Sequence, residues 1–146
     1  FSFYFPLNWH FLDSAKFYTL KQVMESNANA IEIKLISAFQ SKDLATCIVS
    51  EVQSNTETFN FIPKDYSEKL KIYFQADTVY INEFNINDSP VRQFIVTSKT
   101  HTNIKIFVNG KKKYQIDYIV PLNIYKNEVP KIESSIGTIS NTGVNQ

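Results

Sequence analysis

The sequence predicts an all-β domain, an antiparallel β-sandwich of jelly-roll or immunoglobulin-like type, on three observations. First, Thr58–Ile62, Lys69–Phe74 and Val79–Ile86 each alternate apolar with polar residues and are bounded by turn-forming residues. Alternation at period two turns one side of a strand to a core and the other to solvent. Strands of this kind spaced roughly ten residues apart suit a sandwich or barrel. Second, the chain carries twelve Phe and eight Tyr, with plentiful Ile, Val and Thr and little alanine, a balance that favours strands over helices. Third, Asn109-Gly110 follows the alternating run Ile104–Val108. A type I′ hairpin turn needs positive φ at both central residues, and Asn-Gly supplies it at least cost.

The elements follow in order. Phe1 to Leu7 reads as a first strand, with Phe1, Phe3 and Phe5 on one side before Pro6 stops it. Asp13-Ser14 is a start signal for a short helix through Val23 or Met24, in competition with a strand around Phe17–Leu20. Asn27-Ala28-Asn29 reads as a turn. Ile31 to Ile36 is a strand, Gln40–Asp43 a turn, and Ala45 to Val52 a further strand. After the three alternating segments, Asn85 to Pro90 is polar and marks a sub-boundary near 87–90. Arg92–Thr97 and Asn103–Val108 read as strands, and the strand returning from Asn109-Gly110 is Lys113–Val120, where Pro121 interrupts it or displaces it to an edge. Beyond Pro130 the chain is rich in Ser, Thr, Asn and Gly. The domain is therefore expected to span 1–140, with a flexible tail at 141–146.

Composition excludes several classes. A chain of 146 residues, 43% hydrophobic and 20% charged, buries a core without staples and is not disordered. Fifteen basic residues, of which only Arg92 is an arginine, stand against fourteen acidic ones. Nucleic-acid binders carry a basic excess and use Arg for bidentate contacts, so no nucleic-acid partner is expected. Cys47 is the single cysteine and reads as a small buried hydrophobe. No apolar run reaches the length of a membrane span. The chain begins at Phe1, as a processed precursor or a piece of a longer protein would.

Catalytic patterns are weak. His10 and His101 belong to no metal-binding or triad motif, and three glycines leave no material for a phosphate-cradling loop. Glu51 with Glu57, or Asp77 with Glu83, would make acid–base pairs across strands, but a sheet with fourteen acidic residues produces such pairs by chance. Lys111-Lys112-Lys113 reads as a soluble hairpin tip that discourages edge pairing. No enzyme activity and no cofactor are expected. The candidate ligand-binding residues are aromatic. Trp9, Tyr66 and Tyr73 offer ring faces that stack on sugars when exposed and anchor a core when buried. Alternation with Ile72 and Phe74 turns Tyr73 outward.

The segment from Ile31 to Ile86, above all TFNF…KLKIYFQADTVYINEFNI, resembles the closing strands of jelly-roll carbohydrate-binding modules and galactose-binding-like domains. The resemblance implies a non-catalytic recognition domain of a secreted or surface protein, with a glycan as ligand and an extracytoplasmic location. The family's last strand often gives an Asp to a structural calcium, where this chain has Asn82 and Glu83. No metal is therefore expected, and an oxygen-ligand site would have to draw on Asp77, Asn82 or Glu83. Strands continuing past Pro90 are a second departure. The fold alternative is an α+β arrangement, one helix on an antiparallel meander. The functional alternative is a structural or assembly subunit of a virion, appendage or secretion apparatus, with other protein subunits as partners through β-edge contacts.

Overall fold

In the computed structural model, which describes residues 1–26, 31–56 and 58–141, the strands form one antiparallel sheet and helices cover both its faces. The strands are β1 (His10–Phe11), β2 (Ile33–Gln40), β3 (Thr46–Val52), β4 (Thr78–Ile86), β5 (Ser89–Thr97), β6 (His101–Val108) and β7 (Lys113–Pro121). The helices are α1 (Ser14–Ser26), α2 (Tyr66–Tyr73) and α3 (Leu122–Ile136). The seven strands lie in the order β1-β2-β3-β7-β6-β5-β4.

Alternation in the central strands makes two cores. On one face Cys47, Val49, Val91, Ile104, Ile106, Ile116 and Tyr118 meet Ile132, Ile136 and Ile139, together with Trp9 and Phe3 from the N-terminal segment. On the other face Leu35, Ile48, Phe94, Val96 and Phe107 meet Tyr66 and Leu70 of α2, with Phe17, Leu20 and Met24 of α1 packed beside them. Both faces are apolar, as a sandwich requires, but the covering layers are helical. This corrects the expectation of two sheets and of a single short helix. No described helix is long and apolar enough to cross a membrane.

Each departure has a local cause. The helix begins where Asp13 signals it: the Asp13 carboxylate accepts from the Lys16 amide at 2.9 Å, and the Phe17 amide donates to the Asp13 carbonyl. The expected strand Lys69–Phe74 is instead the body of α2. Tyr66, Leu70 and Phe74 are four residues apart and all turn to the sheet, while Ile72 is 76% exposed. Thr58–Ile62 is a series of turns, with Thr58 at φ 54°. Phe1–Leu7 makes one bridge, Ser2 to Ser140, because its aromatic rings pack onto the sheet face: Phe1 lies 4.0 Å from Tyr114 and Phe5 4.3 Å from Phe39. The turn expected at Asn27–Asn29 lies outside the described residues, as do residues 142–146 of the expected tail. Asn141 is buried and bound to the Ser89 hydroxyl at 2.8 Å.

The type I′ turn is not at Asn109-Gly110. Asn109 is not among the positive-φ residues, and Asn109–Lys112 connects β6 to β7 as a longer loop. The two-residue hairpin is at Asn87-Asp88, with φ 46° and 65°, closing the pair Ile86 and Ser89. The stretch 87–90 therefore joins two strands of a continuous sheet. Gly110 answers a different need: a Cβ there would stand 2.5 Å from the Asn141 side-chain nitrogen. That nitrogen donates to the Asn109 and Lys112 carbonyls and braces the loop. Finally, α3 occupies the stretch that Pro121 and Pro130 made look irregular. Pro130 sits on its exposed side, so the carbonyl it leaves free is solvated.

Candidate functional site

The sheet face under α2 carries a cleft of about 390 Å³ between the 58–67 segment and strands β4 and β5. Ile62, Tyr66 and Phe94, each under 10% exposed, form its floor. Ile81 and Glu83 of β4 and Arg92 of β5 form one wall, and Thr58, Phe59, Asn60, Lys64 and Ser67 the other. A second hollow of about 520 Å³ beside α1 is a surface groove, and its one cation, Lys16, lies 3.9 Å from Asp13.

Arg92 organises the first cleft. The β4–β5 register sets it directly opposite Glu83. Its Nε donates to Glu83 Oε1 at 2.6 Å, and Nη2 reaches the same oxygen at 2.6 Å. Its guanidinium carbon lies 4.8 Å from the centre of the Phe59 ring, a cation–π contact. Guanidinium has five N–H donors, and among the described residues only this one carboxylate oxygen takes from it. With Lys64 on the opposite lip, the described residues of the cleft set two cations against one carboxylate.

Under α2 on the same face is a buried polar centre. Lys105 and Asp117 face each other across β6 and β7, with Nζ to Oδ1 at 2.7 Å, and Gln115 donates to the other Asp117 oxygen at 2.8 Å. Burial opposes the Lys105 charge, but the Asp117 carboxylate outweighs it and holds the ammonium above the ordinary lysine range. The Lys105 ammonium also lies 5.8 Å from the centre of the Phe74 ring. Burial pushes the Tyr66 hydroxyl upward, while the Lys105 charge pulls the other way. Tyr66 therefore stays neutral and serves the cleft as an aromatic edge, packed perpendicular to Phe94 at 5.1 Å.

The aromatic residues singled out from sequence do not form one platform. Trp9 is 4% exposed in the core beneath α3, and its indole N–H donates to Glu128 at 3.1 Å. Tyr66 lies on the opposite face of the sheet, at the floor of the cleft. Tyr73 is 75% exposed on α2, as its outward reading expected, though on a helix. Asn82 and Glu83 are successive strand residues and point to opposite faces. Asn82 donates to Gln93 at 3.0 Å, and Glu83 is held by Arg92. Among the described residues no cluster of three His, Cys, Asp or Glu side chains could hold a metal ion. Glu57 lies outside the described residues, and Glu51 is 3.9 Å from Lys112. Cys47 is fully buried, and burial raises its thiol pKa.

Sequence reasoning missed Phe59, Arg92, Lys105 and Asp117. The available signal was Arg92 itself, the one guanidinium in the chain, set in an otherwise uncharged strand. Comparison of the sequence with protein-family models and with curated proteins gives no match.

Proposed function

We propose that this chain is a non-catalytic recognition domain whose cleft takes a ring-sized organic carboxylate. The observation that carries the reading is Arg92, stacked on Phe59 with donors to spare, at the lip of a cleft floored by Ile62, Tyr66 and Phe94. The cleft volume of about 390 Å³ falls in the range of small-molecule sites, which combine apolar walls with a few placed polar groups. Arg binds carboxylates with two parallel hydrogen bonds. Lys64 adds a second positive charge, and Asn60 and Ser67 add groups that can bond hydroxyls. Among glycans, an acidic sugar is the kind that meets this description.

Titration calorimetry with glucuronate, glucose and benzoate tests the reading. Glucuronate and benzoate are expected to bind and glucose to fail, because a charged hydrogen bond contributes more than a neutral one. Stronger glucuronate than benzoate identifies an acidic sugar, and the reverse an aromatic acid. Arg92→Gln is expected to weaken either by about tenfold or more, and Phe59→Ala to weaken it less. Equal binding of glucose, or carboxylate binding untouched by Arg92→Gln, would overturn the proposal.

A further inference from the structure

Among the described residues, strand β4 ends the sheet and pairs only with β5, so its outer backbone groups face away from the sheet. Sheet edges in natural proteins are blunted by shortness, lysine, proline or a bulge. The opposite end of this sheet follows that rule, since β1 has two residues. β4 does not. It runs for nine residues, TVYINEFNI, without lysine or proline, and its register with β5 is unbroken. Its one charge, Glu83, is matched by Arg92. Tyr80 is 62% exposed, Ile81 52% and Phe84 36%.

We propose that β4 pairs with β4 of a second copy of this chain, antiparallel about a two-fold axis through Asn82. A two-fold relating antiparallel edge strands has to pass through a residue, because opposed residues share a face of the sheet. Asn82 is the midpoint of Thr78–Ile86, so this axis alone pairs the whole strand. Tyr80 then stands opposite Phe84 of the second copy, and Phe84 opposite its Tyr80. These two aromatic cross-strand pairs flank an Asn82–Asn82 pair, and all three lie on the face that carries α3. Such pairs stabilise sheets, and like charges directly opposed destabilise them. On the other face Glu83 meets Ile81. An axis one residue later would set Glu83 against Glu83, and one residue earlier would break both aromatic pairs. The strand sequence is thus self-complementary in the register that pairs its full length, and the partner it fits is itself.

The test uses the full chain. Sedimentation across a concentration series is expected to show a monomer–dimer equilibrium. Tyr80→Lys, at an exposed position, is expected to raise the dissociation constant about tenfold or more, since each substitution counts twice. Cys47 is buried, so Asn82→Cys adds the one accessible thiol. Mild oxidation is expected to link that variant into a dimer. Asn85→Cys in the same strand should stay unlinked, because its two copies would lie six residues apart, roughly 20 Å. A chain that stays monomeric at every concentration overturns self-pairing and leaves the cleft reading untouched. A dimer indifferent to Tyr80→Lys, or one linked equally through positions 82 and 85, overturns the β4 register.

Discussion

Lys105 shows how much one residue can depend on its partner. Its side chain is 13% exposed and that of Asp117 3%, so each charge is tolerated only because the other is there. Lys105→Met leaves the carboxylate buried with Gln115 alone, and the expected loss is about 3–5 kcal/mol in urea unfolding. The double variant Lys105→Met, Asp117→Leu is expected to recover most of that, since an apolar pair of similar volume removes the desolvation cost of both charges. A double variant no more stable than the single one would show that the pair itself holds α2 to the sheet. Neither residue was legible as buried from sequence. Lys105 alternates with Ile104 and Ile106, which is the pattern of a solvated strand face, and it is α2, packed over that face, that buries it. Gly110 misleads in a similar way. Beside Asn109 it reads as a turn glycine, but what it supplies is room for the Asn141 side chain.

Elements are where sequence and structure diverge most, and the divergence follows a rule. Strands β3, β5, β6 and β7 are legible because each lies against the cores with its side chains alternating between faces. Lys69–Phe74 is ambiguous because Leu70, Ile72 and Phe74 satisfy period two, while Tyr66, Leu70 and Phe74 satisfy the helical repeat; tertiary packing against Phe94 and Phe107 selects the helix. In α3 the repeat Ile124, Glu128, Ile132, Ile136 was present, but its second member is charged, and it is buried against Trp9 with Lys131 3.7 Å away. The cleft was illegible for the same reason, since Phe59 and Arg92 meet only once the 58–62 segment turns. At this scale one carboxylate adds to the apolar packing of α1 on β2. Glu25 accepts from Lys21 at 2.8 Å and from the Leu35 amide of β2 at 2.7 Å, and both lower its pKa from 4.5. A carboxylate whose pKa is lower folded than unfolded binds fewer protons when folded, so its contribution is present above the unfolded value and fades as pH falls through the folded one. The stability difference between wild type and Glu25→Gln should therefore be largest above the unfolded carboxylate pKa of about 4.3 and shrink as pH falls below it. A difference constant with pH would mean that the ionised carboxylate, with its bonds to Lys21 and Leu35, is not what holds α1 to β2.

At the scale of the whole molecule, the two cores share their inner wall. β3, β7 and β6 send alternate residues to opposite faces: Cys47 and Ile48, Ile106 and Phe107 are successive residues of single strands, each fully buried on its own side. A strand cannot lose its packing on one face and keep its position on the other, so the helices of both layers should melt with the sheet in a single transition. The chain carries its own reporter. Trp9 is the only tryptophan and is buried in the core beneath α3, while Leu70 is buried across the sheet beneath α2. Leu70→Ala, a core truncation, is expected to cost about 2–5 kcal/mol. If the shared wall couples the layers, Trp9 fluorescence and far-UV circular dichroism will move to a lower urea midpoint together and by the same amount, although the substitution never touches the tryptophan's core. A Trp9 transition left in place while the dichroism splits into two steps would mean that α2 and its face of the sheet unfold as a separate unit.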